Sequence, residues 1–137
     1  MAGILPATWA GPMMSLMRFI FGFLFLLHGT SKAFGWPTPM PGDGIDWMSM
    51  VGAAAIIEMV CGALITVGFQ TRIAAFIASG EMAVAYWMMH FPRGGFWPTN
   101  NGGEPVVLFC FAFLFFAAAG PGTIAIDKPH SDPSAHK

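Results

Sequence analysis

Charge is what this chain has least of. Lys, Arg, Asp and Glu make up 9% of its 137 residues, against about 25% in an ordinary soluble domain. Hydrophobic residues reach 55%, and mean hydropathy is +0.64. A soluble globule of this composition would expose apolar patches large enough to aggregate, so the lipid bilayer is the expected solvent. The formal net charge of −1 lacks the basic excess of nucleic-acid binders, and no nucleic-acid partner is expected. No P-loop, GxGxxG, CxxC or HExxH pattern occurs, which weakens nucleotide, thioredoxin-like and zincin readings. Met1 to Met14 carries no Lys or Arg, so the charged region of a cleavable secretory signal is missing there. The first helix is expected to act as its own insertion signal.

What is present is four apolar stretches, about Pro12–Phe34, Asp46–Gly68, Thr71–Phe91 and Glu104–Gly120. A hydrocarbon core of ~30 Å needs ~20 helical residues, a length the first three meet. The fourth is short, and the approach through Asn100, Asn101, Gly102 and Gly103 is expected to dip below the headgroups. Pro37, Pro39 and Pro41 make a stiff lid of the connection from Phe34 to Asp46. The fold class is therefore all-α, an integral membrane bundle of four antiparallel helices. It forms one domain over residues 1–127, followed by a polar tail over 128–137. With both termini cytoplasmic, Arg18, Arg72, Lys128 and Lys137 lie inside against Lys32 and Arg93 outside. Trp36, Trp47, Trp87 and Trp97 then gather at the outer interface, which suits indole.

A charge at the centre of a spanning helix costs roughly 2.5–3.5 kcal/mol on insertion scales, so the few present must turn inward. On the first helix, Gly22, Phe25, Gly29 and Lys32 share a face with Arg18, at ~100° per residue. Ala54, Glu58 and Gly62 form a small-polar-small stripe on the second helix, and Ala78, Glu81 and Ala85 nearly repeat it on the third. Counting depth puts Glu58 and Glu81 near mid-membrane, with Arg18 closer to the inner boundary and its long side chain reaching up. Arg18, Glu58 and Glu81 are thus expected to form one buried network, two carboxylates on one guanidinium with a proton shared. It serves either helix register or proton handling.

A second cluster is expected towards the outside, from His28, Lys32, Trp87, His90, Asn101 and Glu104. Glu104, followed by Pro105, suits the start of a helix as its cap. Two imidazoles, an ammonium, a carboxylate and aromatic walls suit a quinone headgroup, a small anion, or a network tying the outer loops together. A haem is not expected, because His28 and His90 come out ~6 Å apart in depth. Cys61 and Cys110 differ too much in depth to pair and read as small buried residues. The 11 methionines are scattered and suggest no metal site. His130 and His136 fall in the polar tail, Arg72 and Arg93 near the two membrane faces as headgroup anchors, and Asp127-Lys128 reads as a polar stop.

The marks occur in a characteristic order: Arg18, Gly22, His28-Gly29 and Lys32, then Glu58 and Gly62, then Gly68, Thr71-Arg72 and His90. Asn101-Gly102-Gly103-Glu104, Gly120-Pro121-Gly122 and Asp127 complete it. The ordered set resembles the DoxX family of small four-helix membrane proteins over about Ser15 to Asp127. That resemblance implies a four-helix bundle beside respiratory or sulfur redox chemistry, as a membrane subunit of a thiosulfate:quinone oxidoreductase or a terminal quinol oxidase. Its implied partners are lipid, other membrane or redox proteins, or a second copy, in a bacterial inner membrane. No residue is assigned a catalytic role and no metal is expected; a quinone is the cofactor suggested, and activity, if any, is that of an oxidoreductase subunit. A non-catalytic scaffold of a larger membrane complex is the alternative.

Overall fold

A computed structural model of the chain describes residues 4–40 and 44–127. Pro41, the polar tail from Lys128, and His130 and His136 lie outside the described residues. Among the described residues every regular element is helical.

Helix α1 spans Ala10–Phe34 and stops at Gly35, whose φ of 69° is the left-handed conformation that closes a helix C-terminus. Helix α2 spans Met50–Val67; the Ser49 hydroxyl caps it by accepting from the Gly52 N–H at 3.2 Å. Gly68 (φ 73°) ends it, and the chain turns at once into α3, Thr71–Ala85. A π-helical turn over Tyr86–His90 carries α3 into the short α4, Phe91–Gly94. A second short helix, α5 (Pro98–Asn101), precedes α6, Glu104–Ala119.

Ala7–Phe34 and Met50–Val67 are long and apolar enough to cross a membrane, with mean hydropathies of 1.7 and 2.1. α6, at 16 residues, is the short one the sequence suggests, and it starts at Glu104 rather than earlier.

Glycine determines how closely α1 and α2 approach. A Cβ on Gly22 would lie 2.6 Å from the Thr66 nitrogen, and one on Gly62 would lie 2.6 Å from the Leu26 nitrogen. Gly29 meets the Met59 nitrogen in the same way at 2.8 Å. In lipid, where apolar side chains gain little by leaving their solvent, such close backbone packing is a main source of helix affinity. α3 packs on α6 through Ala74, Ala75 and Ala78 and through the Ser79 hydroxyl, which donates to the Cys110 carbonyl at 2.8 Å. Aromatic rings join the two pairs: Phe25 meets Phe113 at 4.7 Å and Phe21 meets Phe109 at 5.6 Å, both edge-on. The outer faces carry exposed apolar residues, among them Phe19 and Phe23 on α1, Ile73 and Phe76 on α3, and Phe111 on α6. A helix apolar on both faces is made for lipid rather than water. Cys61 is buried and unpaired, and Cys110 is half-buried and unpaired.

Candidate functional site

Arg18 does not join Glu58 and Glu81. Helical side chains lean toward their own N-terminus, so Arg18 leans away from the carboxylates and cannot reach up to them. Its Nε donates to the Pro121 carbonyl at 2.8 Å, and Nη1 donates to Ile65 O and Thr66 O at 2.5 and 2.6 Å. Nη2 donates to Ile124 O at 2.6 Å. A cation is thus held on the last carbonyls of α2, where the helix dipole favours it. The strap Pro121–Asp127 completes the arrangement. Asp127 is more than a polar stop: its carboxylate accepts from the Gln70 and Thr71 N–H groups, each at 2.8 Å, and so caps α3 from 56 residues away. Partial burial opposes its charge, but these two N–H groups and the Arg18 charge outweigh that and hold its carboxyl below the ordinary Asp value. Arg72 likewise caps α6, donating to Ala117 O at 3.0 Å and to Ala118 O.

The partner of Glu58 is Lys32, placed in the outer cluster by sequence alone. Gly29 lies against Glu58 and Met59, and Lys32 stands one turn above, so its stem runs back down α1 to Glu58 Oε1. Glu81, from α3, lines the same cavity as both. Glu58 Oε2 and Glu81 Oε2 are buried without a hydrogen-bond partner among the described residues. Buried carboxylate oxygens are expected to be satisfied, which marks this trio as unfinished.

The trio opens on a cavity of about 610 Å³ bounded by α1, α2, α3 and the start of α6. Its wall is mostly Met, Ile, Val and Ala, with Phe25 and Phe109 at its base. Of the outer cluster, His28, Lys32 and His90 line this space; Trp87, Asn101 and Glu104 do not. His28 also meets Phe109 edge-on at 5.7 Å. Trp87 is 54% exposed and meets Tyr86 edge-on and Phe91 and Phe96 at a tilt. Glu104 is exposed, and Gly103 takes the cap position that Glu104 was expected to fill.

Asn101 is buried, and its amide is spent within the fold. It donates to Gly95 O at 2.8 Å and to the Tyr86 hydroxyl at 3.2 Å, and it accepts from Gly103 N–H at 2.8 Å. Tyr86, unremarked in the sequence, donates in turn to Phe96 O. The Asn101 carbonyl accepts from His90 Nδ1 at 3.2 Å, which leaves Nε2 uncommitted. Arg93 also lines the cavity and is more than a headgroup anchor. Pattern alone does not find Tyr86 and Arg93, although Tyr86 is the only tyrosine in the chain.

A family model described as DoxX matches residues 13–91. The chain belongs to the DoxX family. The matched span holds most of α1, all of α2 and α3 and the π-helical turn, and with them His28, Lys32, Glu58, Glu81 and His90. Among DoxX relatives, an uncharacterised protein of Haemophilus influenzae is 39% identical over 84% of this chain and 88% of its own length. An uncharacterised membrane protein of Mycobacterium tuberculosis is 24% identical, over 85% of this chain and 80% of its own. No solved structure matches the chain. DoxX membership and the apolar helices make this an integral membrane protein.

Proposed function

We propose that this DoxX protein is a small subunit of a quinone-linked redox assembly, whose cavity receives the headgroup of a membrane-dissolved quinone. In this reading α1, α2, α3 with its extension, and α6 cross the inner membrane in alternating directions. Both termini face the cytoplasm, with the exposed Trp36, Trp47, Trp87 and Trp97 at the outer interface. The cavity carries the proposal: about 610 Å³ of apolar wall interrupted by His28, Lys32 and His90. That volume falls in the ~300–1,000 Å³ range of small-molecule sites. Quinone carbonyls accept hydrogen bonds, which an imidazole N–H or the Lys32 ammonium can supply. Methionines beside the polar groups suit an apolar ring of variable substitution.

The test is titration of a short-chain ubiquinone into the protein in lipid nanodiscs, with mass spectrometry of small molecules that purify with it. Saturable binding that His28→Ala weakens supports the proposal; no binding to intact protein ends it. The alternative, a non-catalytic scaffold, draws on the exposed Glu104 and Trp97 at the same end and outside the cavity. If Glu104→Ala disrupts assembly with partner chains while His28→Ala changes nothing, the scaffold reading stands instead.

A further inference from the structure

Two buried carboxylate oxygens at the cavity have no partner among the described residues. Glu58 is 1% exposed, with Oε1 committed to Lys32 and Oε2 free. Glu81 faces the same space from α3 with its own Oε2 buried and free. Lys32 pairs with Glu58 alone, which leaves the Glu81 carboxyl without an ion-pair partner among the described residues, and the Arg93 guanidinium lines the same cavity. His90 adds an uncommitted imidazole nitrogen. Phe25 and Phe109 also line the space, and aromatic rings attract cations within ~6 Å. An inorganic cation would need about six oxygen ligands for calcium or magnesium, which a wall of Met, Ile and Val cannot offer. A complementary ligand therefore carries positive charge and N–H donors on an apolar body.

The cavity reaches between α2 and α3 with its π-helical extension. Ala53, Ala54 and Ile57 form one wall, and Ile77, Val84 and Met88 form the other. At Gly80, also in this wall, an added Cβ would meet nothing within 4 Å. At this position the wall is open, unlike the seam between α1 and α2, where a Cβ on Gly22 or Gly62 would meet backbone.

We propose that the cleft between α2 and α3 binds lipophilic ammonium cations, with the free oxygens of Glu58 and Glu81 as counter-charge and donor-accepting site. The site shares its cavity with the quinone proposed above but does not depend on it.

The experiment uses the full chain in lipid nanodiscs, with empty nanodiscs as the partition control. Three probes of one shape are compared: 4-phenylbutylamine, protonated at neutral pH, the neutral 4-phenylbutanol, and the anionic 4-phenylbutyrate. Saturable binding is expected for the amine alone. Glu81→Gln, which breaks no ion pair, should weaken it by about tenfold, the effect of losing one charge-assisted hydrogen bond. Gly80→Leu, with unchanged helical circular dichroism, should abolish binding by filling the cleft. Equal binding of amine and alcohol, or amine affinity untouched by Glu81→Gln, overturns the inference. So does ubiquinone binding without amine binding, which would leave the quinone reading intact. Amine binding without ubiquinone binding supports the inference and removes that reading.

Discussion

The two ends of this protein treat buried charge in opposite ways. At the Arg18 end, four of the donors of one guanidinium find carbonyl oxygens, from α2 and from the strap that follows α6. At the Glu58 end, a single ammonium bonds one of two carboxylates, and two buried oxygens have no partner among the described residues. The first is a finished joint, in which every polar atom of the arginine serves the fold. The second has acceptors in reserve beside an open cavity, which a fold optimised only for stability would not keep. Burial does not separate them, since Arg18 and Glu58 are 4% and 1% exposed. Satisfaction does.

Substitutions at both ends test this contrast. The largest effect is expected from Arg18→Met, which strands carbonyls of α2 and of the strap. Unfolding in denaturing detergent should show a loss of at least about 3 kcal/mol, from several charge-assisted hydrogen bonds. Arg18→Lys should recover only part, because an ammonium lacks the planar fork. Next comes the seam between α1 and α2, where Gly62→Val forces a branched side chain onto the Leu26 backbone. About 1–3 kcal/mol is expected by the same assay. At the chamber end, Lys32→Met leaves Glu58 buried and unpaired and should destabilise. The double variant with Glu58→Gln should regain most of that loss, because it removes both charges. Asp127→Asn should cost about 1 kcal/mol as a weakened helix cap. Its carboxyl is held below the ordinary value, so its stabilising effect is complete above about pH 4 and disappears as pH falls through the lowered value. The gap in melting temperature between wild type and Asp127→Asn should therefore close in acid. Smallest of all, Gly80→Ala should be neutral or stabilising by up to about 1 kcal/mol from helix propensity. A marked loss there would mean that the cleft is closed, and the contrast between the two ends would fail.

Much of this architecture is visible in the amino-acid order. The inward stripe of Arg18, Gly22, Phe25 and Gly29 follows from helical spacing, and all four are buried. Glu58 and Glu81 face a common interior for the same reason. The partners were harder to read. Arg18 binds only main-chain oxygens, which leave no mark in a side-chain pattern. The depth of its Cα places Lys32 in the outer cluster, whereas its long stem ends about a turn lower, at Glu58. Asp127 and Asn101 serve backbone groups in turns whose geometry exists only once the chain has folded. Trp87 and Glu104 are at the expected end of the molecule, but they point out of the recess rather than into it. Position along a helix axis is legible in sequence, while the reach and lean of a side chain are less so.

The strap also dictates an order of events during synthesis. Arg18 enters the membrane with the first helix, yet Pro121 and Ile124, which supply two of its four acceptors, are translated more than a hundred residues later. Until the ribosome passes them, the nascent helices hold a guanidinium that is only half matched. The joint at that end therefore closes last, and a chain released early, at Gly120, would leave it open.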